Sequence, residues 1–246
     1  MTIKKSLSTI NSMVYHNNAN VTIGKKCIIH DNIHFYGEVY IGDDVEIFPG
    51  CVIGRYPTSA GATDREVNQD YGVVSIGNGS VLCSNVTLYK DVSIGNNVLI
   101  GDNASIREDC KVGDKTIISR NVTINYNSSI GSRTKVMDNS HITGNMIVGD
   151  DVFISVGIIT SNDKTIGSFG YGNSIIGPTL KNGCKIGAGA NLLPGVVIGE
   201  NSIVTASSLV KQDVDDNKVV SGNPAKELPI SPDKLLAIMN KMNKIT

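Results

Sequence analysis

The fold is decided by residues 76–155, which read IGNGSVLCSNVTLYKDVSIGNNVLIGDNASIREDCKVGDKTIISRNVTINYNSSIGSRTKVMDNSHITGNMIVGDDVFIS. An aliphatic residue returns at every sixth position of this stretch without a slip in register. The series is Ile76, Leu82, Leu88, Ile94, Ile100, Ile106, Val112, Ile118, Ile124, Ile130, Val136, Ile142, Val148 and Ile154. Every third member is followed by glycine, so the hexads group into units of eighteen residues. Hexapeptide periodicity of this kind is typical of parallel β-solenoids, here with three short faces in each turn.

A second inward position is expected four residues after the aliphatic one, and from Leu82 to Val136 it is small. The set is Val86, Val92, Val98, Ala104, Cys110, Thr116, Val122, Ser128, Thr134 and Ser140. Large and small side chains would then alternate to fill a triangular interior. The corners between faces need tight bends, which Asn tolerates well, and Asn85, Asn103, Asn121 and Asn139 recur at intervals of eighteen.

The repeat does not run through the whole chain. Residues 1–20 lack it and are interpreted as an N-terminal cap or arm. Residues 21–228 form the predicted solenoid domain, broken by loop excursions at about 54–74 and 160–178 that are rich in Gly, Ser and polar residues. Residues 229–246 are predicted to contain a short helix, with Ser231 as N-cap and Pro232 at its first position. Leu235, Ile238, Met239 and Met242 would share one face of that helix.

Composition narrows the function classes. The chain of 246 residues has a net charge of −1, which argues against nucleic acid and anionic membranes as partners. It contains no apolar run long enough to span a bilayer and no signal-peptide pattern at its start. The five cysteines, Cys27, Cys51, Cys83, Cys110 and Cys184, are odd in number and show no CxxC spacing. Reduced thiols in a cytoplasmic protein are therefore expected.

The hexads and the tail together resemble a known family. The tail reads GPTLKNGCKIGAGANLLPGVVIGENSIVTASSLVKQDV from 177 to 214, followed by SGNPAKEL at 221–228. This pattern is similar to the left-handed β-helix, hexapeptide-repeat acyltransferases that use acetyl-CoA. The resemblance implies an all-β, left-handed parallel β-helix and a homotrimer with acyl-CoA bound between subunits. The loop at 54–72 and TSND at 160–163 look most like sugar-nucleotide N-acyltransferases, which implies acetyl transfer to a dTDP- or UDP-linked amino sugar for surface polysaccharide biosynthesis.

Two of the three corners depart from the usual Gly-Asn or Gly-Asp pair, and such departures favour a function that the fold does not require. These corners and the first loop contain the predicted substrate-binding residues, which are Ser84, Asp102, Arg107, Asn125, Tyr126, Asn145, Arg55 and Tyr56. An aromatic ring beside an arginine suits a nucleotide base and a pyrophosphate. Alternation of Asp102, Arg120 and Asp138 up one column could equally be an ion-pair ladder or a subunit contact.

The catalytic prediction centres on His141, which occupies an outward position of its hexad. Acyl transfer to an amine requires removal of a proton as the nitrogen attacks the thioester, and histidine is suited to that step. Many members of the resembled family use an outward histidine in this way, while some lack a protein base. Asp138 could orient the ring, and Glu108 and Asp102 are carboxylate alternatives.

The resemblance also implies where acyl-CoA would bind. A backbone N–H near Gly157 would stabilise the thioester oxygen. The pantetheine arm would pass small residues, for which the candidates are Gly157, Ala188, Gly189, Ala206 and Ser207. Lys211 and Lys226 would meet the CoA phosphates, and no metal is expected.

Three other functions remain to be weighed. One is O-acetylation of serine or of a sugar hydroxyl, and another is a non-catalytic trimeric scaffold. A hexapeptide-repeat carbonic anhydrase would need three histidines that converge on a metal. His30 and His34 are four residues apart but lack a partner histidine on an adjacent coil, so this function is disfavoured.

Overall fold

A computed structural model describes residues 2–3, 9–10, 14–171 and 175–242. The chain coils into a parallel β-solenoid of about 11 turns with one short helix, which confirms the predicted fold class. Much of the predicted N-terminal arm, residues 1, 4–8 and 11–13, lies outside the described residues.

Short strands build three flat faces. The first face contains Val73–Ile76, Ser93–Ile94, Lys111–Val112, Ser129–Ile130, Ile147–Val148, Thr179–Leu180 and Val197–Ile198. The second face contains Thr9–Ile10, Ile28–Ile29, Glu46–Ile47, Val81–Leu82, Leu99–Ile100, Ile117–Ile118, Lys135–Val136, Phe153–Ile154, Lys185–Ile186, Ile203–Val204, Val219–Ser221 and the antiparallel Lys226–Glu227. The third face contains Val52–Arg55, Thr87–Tyr89, Ser105–Ile106, Thr123–Ile124, His141–Ile142, Ile159–Thr160, Asn191–Leu192 and Leu209–Val210. Two longer strands, Val14–Ile23 and Ile33–Ile41, span the third and first faces, and Thr2–Ile3 pairs with the former.

Neighbouring coils stack in the register that the sequence predicts. Ile94 lies opposite Val112, and Val112 lies opposite Ile130. The N–H of Gly95 donates to the carbonyl of Val112 at 2.8 Å, and the same bond recurs along the prism. Residues eighteen apart are therefore spatial neighbours, so that columns of side chains run up each face and corner.

The core is a stack of thin aliphatic layers. Both inward sets expected from the sequence are buried, including the polar Thr116, Ser128, Thr134 and Ser140. These hydroxyls donate to backbone carbonyls one coil on, as from Thr134 to Gly149 at 2.9 Å. Buried hydroxyls would otherwise destabilise an apolar interior, so these bonds explain why Ser and Thr are tolerated there.

The asparagines of the second corner adopt the left-handed backbone conformation. Asn85, Asn103, Asn121 and Asn139 have φ between 56° and 62°, and Gly157 continues the column at 65°. This confirms the interpretation of the asparagine column as bend residues.

Both breaks in the repeat lead to loops on the third corner. The first lies between Val52–Arg55 and Val73–Ile76, and the second lies between Ile159–Thr160 and Thr179–Leu180. In the second loop the carboxylate of Asp163 accepts bonds from Thr165 and from the N–H of Gly167. Residues 172–174 lie outside the described part of this loop.

The C-terminal helix spans Pro232–Met242, and the hydroxyl of Ser231 accepts a long bond from the N–H of Lys234 (3.4 Å). Leu235 and Leu236 face the second face near Ile203. The side chains of Met239 and Met242, predicted for the same helical face, lie outside the described residues. No helix in the described part of the chain is both long and apolar enough to cross a membrane.

Candidate functional site

His141 lies at a cavity of about 870 Å³ on the third face. Asn125 and Lys211, two other residues singled out in the sequence, line the same cavity. Thr143, Thr160, Ser161, Asn162, Asp163, Lys164, Ile166, Leu193 and Pro194 complete its wall. The second loop forms one side of it. His141 thus lies on a regular face of the solenoid, and the second loop, where the repeat is broken, forms a wall of the cavity.

The imidazole of His141 is half-buried, and burial lowers its pKa below the ordinary value of 6.5. The outward residue one coil earlier is Thr123, whose Oγ1 lies 2.7 Å from Nδ1 of His141. Among the described residues this is the one side-chain hydrogen bond of the ring. Nε2 therefore remains available to a molecule in the cavity, and the neutral ring is the favoured form at neutral pH.

The expectation that Asp138 orients the His141 ring does not match the structure. The Asp138 carboxylate instead accepts bonds from the Arg120 guanidinium at 2.6 Å and from the Arg120 N–H at 3.1 Å. A hydrogen bond from Ser119 and these bonds from Arg120 lower the pKa of Asp138. Arg120 and Asp138 thus form one ion pair of the column, in line with the ion-pair alternative that the sequence left open. Its physical reason is the coil geometry, which places Asp138 beside the residue eighteen positions earlier.

Glu108 is buried, with 2% of its side chain exposed, and two arginines surround it. Arg107 Nε donates to Glu108 Oε2 at 2.8 Å, and Arg65 from the first loop donates to Oε1. Burial alone would raise the pKa of Glu108, but the arginines outweigh it and hold that pKa below the usual range. A carboxylate in this state is a weak proton acceptor, so the geometry favours His141 over Glu108 as the base.

Tyr126 lines a second cavity of about 420 Å³, to which both loops contribute residues. The Arg65 guanidinium lies 4.0 Å from the centroid of the Tyr126 ring, and the Tyr171 hydroxyl bonds the Tyr126 hydroxyl. A Cβ at Gly144 would come within 2.5 Å of that ring, so glycine at this place gives Tyr126 the room to lie across the corner. Arg107 and Asn162 also line the cavity, and Asn162 is shared with the His141 cavity.

The other predicted substrate residues have structural contacts. Asp102 Oδ1 accepts the N–H of Ser84 at 3.1 Å on the second corner. Asn145 has φ of 62° and accepts a bond from Asn127, as a bend residue does. Arg55 lies over the ring of Tyr89 at 5.4 Å, and Arg107 lies over the same ring at 4.8 Å.

The ring of Tyr56 in the first loop contacts two other tyrosine rings. It packs edge-on against Tyr36 and Tyr71, with centroids 6.5 and 5.2 Å away. These contacts fasten the base of the loop to the prism. A role for Tyr56 in binding a nucleotide base remains a prediction.

The residues proposed for pantetheine share one corner. Gly157, Gly189 and Ser207 all have positive φ, and each N–H bonds the carbonyl of the preceding coil. A Cβ added at Gly157 would meet no atom within 4 Å, and one at Gly189 would meet only Ser207 Oγ at 3.7 Å. The corner is therefore open, and a slender ligand could approach its backbone. Ala188 immediately precedes Gly189, and Ala206 immediately precedes Ser207.

Lys211 and Lys226 line one polar cleft of about 320 Å³ at the C-terminal end of the prism. Lys218 is also there, but it is paired with Glu227 at 2.6 Å. Lys211 borders both this cleft and the His141 cavity. Lysine ammonium groups attract phosphates as point charges, but Asp213, Asp215 and Glu227 line the same cleft. A role for Lys211 and Lys226 in binding CoA phosphates remains a prediction.

Sequence reasoning missed Thr123, Tyr89, Tyr171 and Lys164. The hydroxyl of Thr123 could have been found from the eighteen-residue column that contains His141. Tyr89 could likewise have been found, because it ends a regular strand and lies eighteen residues before Arg107. Tyr171 and Lys164 depend on loop paths that no pattern predicts. Within the described part of the chain the five cysteines form no disulfide bond, and no cluster of three or more potential metal ligands occurs.

Comparisons with known proteins agree with this architecture. The family described as bacterial transferase hexapeptide (six repeats) matches residues 20–55, 91–126 and 177–212. Serine acetyltransferase 2 of Arabidopsis thaliana is 32% identical over 88 residues, which are 36% of this chain and 27% of that protein. Galactoside O-acetyltransferase of Lactococcus lactis is 54% identical over 39 residues, which are 16% of this chain and 19% of that protein. The matches span only 27% to 43% of the length of three curated relatives.

Among solved structures, Arabidopsis UDP-N-acetylglucosamine acyltransferase superposes with a TM-score of 0.57. The two chains are 15% identical, and the match covers 96% of this chain and 78% of the other, so it is evidence of a shared fold. The protein is a hexapeptide-repeat solenoid. Its repeats are similar to those of the bacterial hexapeptide transferases over the three stretches that the family matches.

Proposed function

We propose that the protein transfers an acetyl or similar acyl group from acyl-CoA to the amine of an amino-deoxy sugar nucleotide, linked to dTDP or UDP. The observation that carries the proposal is the His141 cavity, which is lined by Lys211 and by a neutral imidazole whose Nε2 has no hydrogen bond among the described residues. The Tyr126 cavity, with its arginines and aromatic rings, lies next to it on the other side of the second loop.

The proposed acyl transfer needs a base, a hydrogen-bond donor for the thioester oxygen and cations for the CoA phosphates. The lone pair of the acceptor amine attacks the thioester carbon, and His141 Nε2 takes the proton that the nitrogen loses. The C–S bond then breaks, and the thiolate of CoA leaves with a proton supplied by the imidazolium. A backbone N–H of the second corner near Gly157 would hold the oxygen that becomes negative. Acyl-CoA would supply the activated acyl group, with its phosphates held by Lys211 and Lys226.

The Tyr126 cavity supports a nucleotide-linked acceptor. Arginine recognises a diphosphate by paired hydrogen bonds, and tyrosine rings offer a surface for a flat base. Arg65 and Arg107 share the charge of Glu108, and Asp64 and Asp163 also line the cavity. The support for a nucleotide-linked acceptor is therefore the geometry of the arginines beside the tyrosine rings and not a net positive charge.

Resemblance to the family also underlies the proposed homotrimer, in which the open second corner of one subunit would face its neighbour. Sedimentation analysis of the purified protein would measure three chains in the particle. A stable monomer that turns over substrate would contradict this part of the proposal.

A second candidate is transfer to a hydroxyl. It is favoured by the match to galactoside O-acetyltransferase, because that short segment is 54% identical. The chemistry of His141 would be the same, since a hydroxyl also loses its proton on attack.

A thiol-release assay with acetyl-CoA separates the candidates. The acceptors are dTDP- and UDP-linked amino sugars, the matched sugar nucleotides with a hydroxyl in place of the amine, galactosides and serine. Release with an amino sugar nucleotide and not with its hydroxyl counterpart is the expected result. Release with hydroxyl acceptors alone would replace the proposal by the second candidate. Silence with every acceptor, together with no thermal stabilisation by CoA, would contradict both.

A further inference from the structure

The third face has a polar column that leads to His141. Its outward residues are Thr87, Ser105, Thr123, His141 and Ile159, each opposite the next on neighbouring coils. Because consecutive strands lie about 4.8 Å apart, an outward side chain reaches the one above it. Thr123 is thus the residue that the fold places directly beside the imidazole.

The contact between Thr123 and His141 is a hydrogen bond. Thr123 Oγ1 and His141 Nδ1 are 2.7 Å apart, and the part of the chain that the structure describes offers the ring no other side-chain hydrogen bond. The backbone of His141 is fixed from the opposite side, because the Thr160 hydroxyl donates to the His141 carbonyl at 2.8 Å. That hydroxyl also accepts the N–H of Thr143 at 2.8 Å. Ring and backbone are therefore each held by a threonine of an adjacent coil.

We infer that Thr123 is a positioning residue, which accepts a hydrogen bond from Nδ1–H of His141 and leaves Nε2 as the unprotonated nitrogen at the cavity. This inference rests on the proposed function, in which Nε2 receives the proton. The two nitrogens of a neutral imidazole differ, and the bond made by one decides which of them carries the hydrogen.

A hydroxyl suits this base in a way that a carboxylate does not. When Nε2 gains a proton, Nδ1–H still donates to Thr123 Oγ1, so the ring need not turn during the reaction. A carboxylate in the same place would raise the pKa of the imidazole by its charge. Asp138 is instead bonded to Arg120, and Asp163, which lines the His141 cavity, accepts bonds from Thr165 and Gly167. Thr123 thus orients the ring and adds no charge.

The test compares Thr123→Val with Thr123→Ser. Valine keeps the branched shape suited to a strand and removes the hydroxyl, while serine keeps the hydroxyl. Thr87→Val is the matched control, because it makes the same change on the same face, two coils away. We expect kcat of Thr123→Val to fall roughly 10-fold to 100-fold with KM for acetyl-CoA unchanged, since a misplaced base loses part of its catalytic contribution. Thr123→Ser and Thr87→Val should stay within about 3-fold of the wild type.

A second readout does not depend on turnover. Ring nitrogen chemical shifts of His141, measured by NMR on the neutral ring, report which nitrogen holds the hydrogen. The expected result is Nδ1–H in the wild type and a mixture of tautomers in Thr123→Val. A wild-type ring with its hydrogen on Nε2, or a Thr123→Val protein with unchanged kcat and tautomer, would overturn the inference. If no acceptor were ever acetylated, the proposed function would fail while the NMR result still decided the hydrogen bond.

Discussion

At the scale of single residues, the side chains of His141 and Asp138 bond to residues eighteen positions away on the neighbouring coil and not to their neighbours in the sequence. His141 was predicted from its outward position, and the structure places it at the largest cavity described. Asp138 was predicted to orient the His141 ring because it lies only three residues away in the sequence. In a solenoid, however, the nearest side chain belongs to the next coil. That rule identifies Thr123 for His141 and Arg120 for Asp138.

The pH dependence of the reaction follows from the environment of His141. The neutral imidazole is the active form, so kcat should rise as pH increases through the pKa of His141 and then level off. Burial lowers that pKa below 6.5, so the rise should be complete at neutral pH. A pH–rate profile with saturating substrates measures this.

Two results check the interpretation of that profile. The rise should be absent in His141→Asn, whose residual rate has no imidazole to titrate. A wild-type midpoint above pH 7 would mean that another group, or the acceptor amine itself, governs the proton transfer.

At the scale of elements, the first loop is tied to the prism by a buried ion pair and the second loop by a hydrogen bond between two tyrosines. The polar, glycine-containing composition of both stretches predicted loops, because the aliphatic period fails there. It could not predict that Arg65 reaches Glu108, 43 residues further along the chain, since a loop path depends on packing with no period. Nor could it predict that Tyr171 reaches Tyr126 from the second loop. The location of the loops was predictable, and their contacts were not.

Replacement of Glu108 should release the first loop. In Glu108→Gln the guanidinium groups of Arg65 and Arg107, 22% and 31% exposed, lose their charged partner. Breaking a buried ion pair is strongly destabilising, and the partial exposure moderates it, so the free energy of unfolding should fall by about 2 kcal/mol or more. Urea unfolding measures this change, and hydrogen exchange should increase in residues 56–72.

Arg133→Gln is the matched control for that variant. Arg133 bonds Asp150 and Asp151 at the first corner, where all three side chains are about half exposed. Exposed ion pairs contribute little, so its unfolding should resemble that of the wild type. Equal effects of the two substitutions, or unchanged exchange in residues 56–72, would contradict the role given to Glu108.

At the scale of the whole molecule, one repeat both makes the prism and arranges its chemistry. Because the coils stack without a slip, the sequence predicts which side chains share a face, and the buried and outward sets agree with the structure. The structure adds that Gly157, Gly189 and Ser207 share a corner and that Lys211 and Lys226 line one cleft. Cavity walls are harder to predict, because they combine the regular face with the irregular second loop.

The most direct test of this account is thiol release from acetyl-CoA by the wild type and by His141→Asn, at saturating acyl-CoA and amino sugar nucleotide. Ser129→Asn, an outward residue of the first face, is the control, and circular dichroism verifies that all three proteins are folded. The account predicts that His141→Asn loses roughly 100-fold or more in kcat while Ser129→Asn does not. A His141→Asn enzyme with a near-normal rate would contradict it and assign the proton to another group.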